Sequence, residues 1–310
     1  MSDNLPPTGQ PGPARPRVRV GSAPDAWGVW FPDDPRQTPW TRFLDEMARA
    51  GYEWLELGPH GYLPADAAAL RPELEARGLR LAGGTVGGPL HQRAELPAIE
   101  ARMLEVARLA STFGAGYVVF LPAMYRDLTD GRQLEPAGLD AGQWHALTAG
   151  AGHLARVLHD ETGMRFVFHP HAESHVETDE QVRRFLDDTD PERVGLCLDT
   201  GHVAYTHGDA PRLIREHADR IWYSHLKAVD PDVLAQVEAE RLSFADAVRR
   251  DVMCEPGLGV PELDDLQAAF GALPDGTFVI VEQDLYPCDF DRPYPIAART
   301  RKTLQAAGIG

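Results

Sequence analysis

The sequence predicts a single-domain α/β protein, a closed (β/α)8 TIM barrel of eight parallel strands, each followed by a helix. Eight short apolar runs alternate along the chain with stretches of helical pattern. Strands that alternate with helices are joined by right-handed crossovers into a parallel sheet. Four of the later runs, in succession, end on a histidine or a carboxylate. That is the end of the strand where such barrels place their chemistry. A doubly wound open sheet is the alternative, but its phosphate-cradling glycine fingerprint is missing.

Residues 1–24 are rich in Pro, Gly and Arg and offer little to bury. They read as a disordered tail, and residues 25–310 as the barrel. Trp27 to Phe31 (WGVWF) is the expected first strand. Thr38-Pro39 then opens a helix that stops at Gly51. Trp54 to Leu57 is the second strand, Pro64 to Arg77 a helix, and Leu79 to Ala82 the third strand. Leu96 to Phe113 is a long helix stopped by Gly114, and Tyr117 to Leu121 the fourth strand. Ala141 to Thr162 is helical, and Arg165 to His169 (RFVFH) is the fifth strand. Thr178-Asp-Glu opens the next helix, with acids favoured in its first turn. Val194 to Asp199 is the sixth strand, about Ala210 to Ala218 a helix, and Ile221 to His225 the seventh strand. An excursion at about 229–259, with a helix near Pro231 to Arg250, reads as an inserted lid. Leu263 to Phe270 is a helix, Phe278 to Glu282 the eighth strand, and Pro295 to Ala307 the closing helix.

Composition narrows the function. A net charge of -17 weighs against nucleic acid, which needs a basic footprint. Cys197, Cys254 and Cys288 are too few and too scattered for a disulfide framework or a thiolate metal site. No apolar run approaches a membrane span, and no apolar signal core opens the chain, so a cytoplasmic protein is expected.

The strand ends carry the chemistry. The fifth run ends in His169, with His171 just beyond; the sixth ends in Asp199, the seventh in His225 and the eighth in Glu282. Each residue alone could be a helix cap or a rim salt bridge. Four in succession point to a cation site, with Asp199, His225 and Glu282 as its ligands. Carboxylates suit Mn²⁺ or Mg²⁺, and added imidazoles shift the preference toward Mn²⁺, Fe²⁺, Co²⁺ or Zn²⁺. Lys227 lies two residues beyond His225, so it joins the same pocket if the strand continues, where its pKa could be lowered. His202 follows Asp199 within a turn. Glu56 ends the second strand, where it could bind a polyol or form a salt bridge in the barrel mouth. Trp30 and Phe31 could wall a sugar face or belong to the core. His91, His153, His159, His207 and His217 read as solvated.

These strand ends, Asp199-Thr-Gly-His202, His225-x-Lys227 and Glu282-Gln-Asp284, resemble the xylose isomerase-like superfamily, also called the AP-endonuclease-2 type. The resemblance covers nearly the whole chain after the tail. Within that superfamily it is nearest to the inosose dehydratases, through Gly78 to Gly83, FHPHAESHVET, Ser243-Phe244 and the Pro256 to Gly259 turn. It implies a metal-dependent lyase or isomerase that acts on a cyclic polyol ketone or keto-sugar through an enediolate. His171, His202 and Lys227 are candidate bases. Sugar isomerisation or epimerisation, and elimination from a 3-keto-glycoside, are alternatives. An AP endonuclease and a non-catalytic barrel subunit are weaker ones. The resemblance also implies a divalent metal, Mn²⁺ first, and a homo-oligomer. Most members end the fifth strand in a glutamate, where this chain has His169, so His169, His171 or Glu177 could supply the fourth ligand. Glu173-Ser174 replaces a Gly-Thr pair, and Leu258 an aspartate, both near the substrate.

Overall fold

The computed structural model describes residues 18–310 and closes as expected. The strands are β1 (Val18–Ser22), β2 (Trp54–Glu56), β3 (Arg80–Gly88), β4 (Tyr117–Pro122), β5 (Arg165–Phe168), β6 (Val194–Asp199) and β7 (Ile221–Leu226). After a small ribbon of β8 (Ala228–Val229) with β9 (Met253–Cys254) comes β10 (Thr277–Val281). The eight barrel strands pair in parallel with their neighbours in chain order, and β10 closes on β1, with Val18 opposite Thr277.

The first strand corrects the expectation. Val18–Ser22 is β1, so those residues belong to the barrel and not to a tail; residues 1–17 lie outside the described residues. Val18 and Val20 face the buried layer between strands and helices. Arg19 lies over the Trp54 and Phe278 rings, with its guanidinium 5.4 Å from each centroid. Trp27 to Phe31 is no strand. Pro24–Trp27 is a turn of 3₁₀ helix ending at Gly28, whose φ of 72° is left-handed. The apolar residues there are buried for another reason: Trp27 packs edge-on against Phe43 and donates its indole N–H to Glu46.

The helices follow closely. They are α1 (Trp40–Ala50), α2 (Ala67–Glu75), α3 (Leu96–Ser111), α4 (Ala141–Thr162), α5 (Asp179–Asp187), α6 (Thr200–Tyr205), α7 (Ala210–Glu216), α8 (Pro231–Glu240), α9 (Phe244–Arg249), α10 (Leu263–Phe270) and α11 (Pro293–Ala306). Thr178 caps α5 as its sequence suggested. Its hydroxyl accepts from Gln181 N, and Gln181 Oε1 accepts from Thr178 N. The excursion after β7 holds two helices, α8 and α9, where one was expected. Arg241 sits at the break with a φ of 55°. The third strand is longer than expected, running through Gly83 and Gly84 to Gly88.

Two cores result. Most apolar side chains lie between the strands and the outer helices. A smaller core inside the barrel includes Val119, Val167, Cys197, Tyr223, Phe278 and Ile280.

Candidate metal centre and cavity

Strand alternation decides which side chains reach the mouth, since residues two apart share a face. Val167, Cys197, Tyr223 and Ile280 belong to the inner core and form a floor. Two residues further along the same strands come His169, Asp199, His225 and Glu282. Neighbouring strands hold them level: Asp199 is opposite His225, and His225 opposite Ile280. Each of the four offers a ligand atom, and these atoms all lie within 4.8 Å of one another.

The donor set fits a cation. His225 directs Nε2 at both oxygens of Glu56, at 3.0 and 3.2 Å, so Nε2 carries a proton and Nδ1 is the atom turned to the site. Nδ1 stands 2.7 Å from Glu282 Oε2 with no hydrogen-bonding alignment between them. An imidazole nitrogen and a carboxylate oxygen turned to the same space can both bind one cation. His169 Nε2 is 3.3 Å from Asp199 Oδ2, and its Nδ1 is buried without a partner. Two imidazoles with two carboxylates suit a divalent transition metal.

The two oxygens of Asp199 face different ways. Its Oδ1 caps α6, accepting from Gly201 N at 2.8 Å and His202 N at 2.9 Å. Its Oδ2 faces the site. Thr200 fastens the adjoining strand, donating to the Lys227 carbonyl at 2.7 Å and accepting from Lys227 N at 3.1 Å. Gly201 leaves room for the lysine stem; a Cβ there would stand 2.0 Å from Lys227 Cγ.

Lys227 joins the pocket as expected, with Nζ 3.1 Å from Asp199 and from Glu282 and 2.9 Å from Asp284. The expected lowering of its pKa is corrected. Burial alone would lower it, but Asp199, Asp284 and Glu282 outweigh burial and hold the ammonium well above its ordinary range. Burial also opposes ionisation of Asp199 and Glu282. Lys227 and His169 for the first, and His225 and Lys227 for the second, keep both carboxylates ionised far below the usual range. Asp25 and Asp284 go the other way: burial, with Glu282 close by, raises both.

His171 and His202 stack with ring centroids 3.7 Å apart. Burial, with the charge of His169, pushes His171 down to about 3; burial and His171 push His202 well below its ordinary value. His171 Nδ1 donates to the Ala172 carbonyl at 2.6 Å, which leaves Nε2 unprotonated. Both rings line a cavity of about 410 Å³, together with Trp30, Lys227, Glu282 and Asp284. That is a small-molecule volume, within the usual range of about 300–1,000 Å³. Trp30 walls it, packing 4.8 Å from Tyr286 and donating its N–H to Asp284.

A sequence model of the xylose isomerase-like TIM barrel matches residues 44–305. The chain belongs to this family. Among curated relatives, an inosose dehydratase of Geobacillus kaustophilus is 31% identical over 298 residues, covering 92% of this chain and 93% of that protein. The rhizopine catabolism protein MocC of Rhizobium meliloti is 38% identical over 245 residues, covering 74% of this chain and 71% of its own. Among solved structures, the IolI protein with a bound zinc atom superposes with a TM-score of 0.70 at 14% identity, covering 94% of this chain and 98% of its own.

Against the family's usual glutamate, His169 takes the strand-five place in this barrel. Glu177 does not join the group: its oxygens accept from Tyr125 OH at 3.0 Å and Glu173 N at 2.7 Å. Of the two readings of Glu56, the buried salt bridge is the observed one. His91, expected to be solvated, is buried. Sequence reasoning missed Asp25, which lay against a Pro-rich stretch with no signal of its own. It passed over Asp284, although two-residue spacing from Glu282 was a usable sign. Among the described residues, no helix is long and apolar enough to cross a membrane.

Proposed function

We propose that this chain is a metal-dependent dehydratase of a cyclic polyol ketone, of the inosose type. The observation that carries the reading is the convergence of His169, Asp199, His225 and Glu282 beside the Lys227 ammonium at the floor of a small-molecule cavity. Relatives named inosose dehydratase match along nearly the whole chain and support it. A divalent ion held by the four side chains supplies Lewis acidity at a substrate carbonyl oxygen.

The chain's own residues supply the rest. Asp25 and Asp284, inside the cavity, orient hydroxyl groups of a polyol, and Trp30 covers its apolar face. His171 Nε2, kept unprotonated by the Nδ1 bond to Ala172, takes the proton from the carbon next to the carbonyl. The electron pair moves to form the new C=C bond, and the β-hydroxyl leaves with a proton from Lys227 Nζ as water. Phe244, on the excursion after β7, covers His171 and His202 at centroid distances of 5.5 and 5.7 Å and helps exclude solvent as a lid.

We assign Mn²⁺ as the preferred ion, in a cytoplasmic homo-oligomer. The test incubates the purified chain with 2-keto-myo-inositol and added Mn²⁺, Co²⁺, Mg²⁺, Fe²⁺ or Zn²⁺. Loss of one water with appearance of enone absorbance is expected, fastest with Mn²⁺. Asp199→Ala or a chelator should abolish turnover; full activity in either case removes the mechanism. An isomer of unchanged mass would transfer the assignment to isomerisation or epimerisation.

A further inference from the structure

A second buried group stands apart from the proposed catalytic centre. His91 follows β3, Glu135 lies in the 123–140 segment after β4, and His175 lies between β5 and α5. Both imidazole side chains are 1% exposed and the carboxylate 22%. His91 Nε2 is 3.0 Å from Glu135 Oε2, and His175 Nε2 is 3.2 Å from Glu135 Oε1. The two rings meet edge to face at 4.6 Å.

The three side chains turn their polar atoms on one another. His175 Nδ1 is 3.0 Å from the Ala137 carbonyl, an acceptor only, so Nδ1 carries the proton. A neutral His175 then aims the Nε2 lone pair at a carboxylate oxygen. His91 Nε2 stands between Glu135 Oε2 at 3.0 Å and Gln92 Nε2 at 3.4 Å. Burial lowers the His91 pKa, which further opposes a second proton on that ring. Two imidazole nitrogens and a carboxylate, with ligand atoms all within 4.8 Å of one another, form a donor set that one cation can occupy. The spacing suits one: tetrahedral Zn²⁺ with bonds of about 2.0–2.1 Å separates its ligand atoms by roughly 3.3 Å.

We propose that His91, Glu135 and His175 form a second, structural metal site selective for Zn²⁺, with water at the fourth position. Two neutral imidazoles and one carboxylate suit Zn²⁺ better than Mg²⁺ or Ca²⁺, which take oxygen ligands. The ion staples three strand-to-helix loops together. One of them carries Met124 and Leu128, which line the cavity, so the site sets the shape of the cavity wall from outside.

The test uses the full chain stripped with a chelator, reloaded with Zn²⁺ and passed through gel filtration. Metal analysis is expected to find one Zn²⁺ fewer in Glu135→Gln than in the wild type. A second measurement removes the first site. In Asp199→Ala/His225→Ala, one equivalent of Co²⁺ is expected to give the strong visible bands of a tetrahedral centre, and adding His175→Gln is expected to erase them. A Zn²⁺ content unchanged by Glu135→Gln overturns the proposal, as do Co²⁺ bands that survive His175→Gln.

Discussion

Glu56 and Gly201 illustrate how much of the site depends on residues that stand behind its ligand atoms. Glu56 fixes a proton of His225 on Nε2, and so turns Nδ1 inward. Outer partners of this kind typically contribute 10–100-fold to metal affinity, so Glu56→Gln should weaken metal binding by about 10–100-fold while leaving the fold intact. Equilibrium dialysis against Mn²⁺ measures it. Gly201 makes space for the Lys227 stem. Gly201→Ala must displace the ammonium, and a displacement near 1 Å can cost about 10²-fold in rate. The expected result is a kcat about 10²-fold lower with an unchanged circular dichroism spectrum. A normal kcat would show that Lys227 tolerates displacement. Neither role was visible in a linear reading. Glu56 meets His225 across 169 positions of chain, and the need for glycine at 201 exists only because Lys227 passes over it.

Secondary elements position these residues through packing that can be tested directly. Phe168, the last residue of β5, stacks on Phe185 of α5 at 4.2 Å and on Phe120 of β4 at 6.0 Å, and it is fully buried. It anchors the strand end that presents His169. Phe168→Ala should cost about 3–5 kcal/mol of stability, the usual range for a buried Phe truncation. Denaturant unfolding monitored by circular dichroism measures it, and a loss below about 1 kcal/mol would mean that the surroundings collapse into the gap. Most elements were legible because apolar period and terminal signals agreed. Gly51 and Gly163 end α1 and α4 in left-handed conformation, and Thr178 starts α5. β1 was not legible. Its five residues, VRVGS, hold only two apolar side chains turned outward, and a Pro-rich stretch precedes them. Trp27 to Phe31 offered the stronger apolar run, but a strand needs partners, and Gly28 turns the chain away from them.

The outer ring of helices is tied by surface ion pairs, and one of them adds a small acid-dependent contribution to stability. Glu216 of α7 accepts from Arg212 on its own helix and from Arg183 of α5. These partners hold its carboxyl down to about 2, below the ordinary 4.5. A depressed folded pKa contributes stability above the unfolded value and loses it as pH falls toward the folded one. The contribution is therefore complete above about 4.5 and fades between there and about 2. The pair lies at the surface, so the effect is small and screened by salt. Glu216→Gln should lower the thermal midpoint slightly at neutral pH and leave it unchanged near pH 2. Thermal unfolding across that range measures it; an equal loss at both ends would exclude the linkage.

By itself the sequence determined the closed barrel, the order of its second to eighth strands and which residues stand at the ends of the last four. Period, terminal signals and strand alternation are local properties, and local properties are written in a single stretch of chain. Tertiary structure alone decided the rest: that Glu177 is held away while His169 joins the group, that Lys227 stays protonated among three carboxylates, and that His91 is buried opposite His175. Each of these depends on the electrostatic field and free space created by residues distant in sequence. Those quantities exist only once the chain has closed on itself.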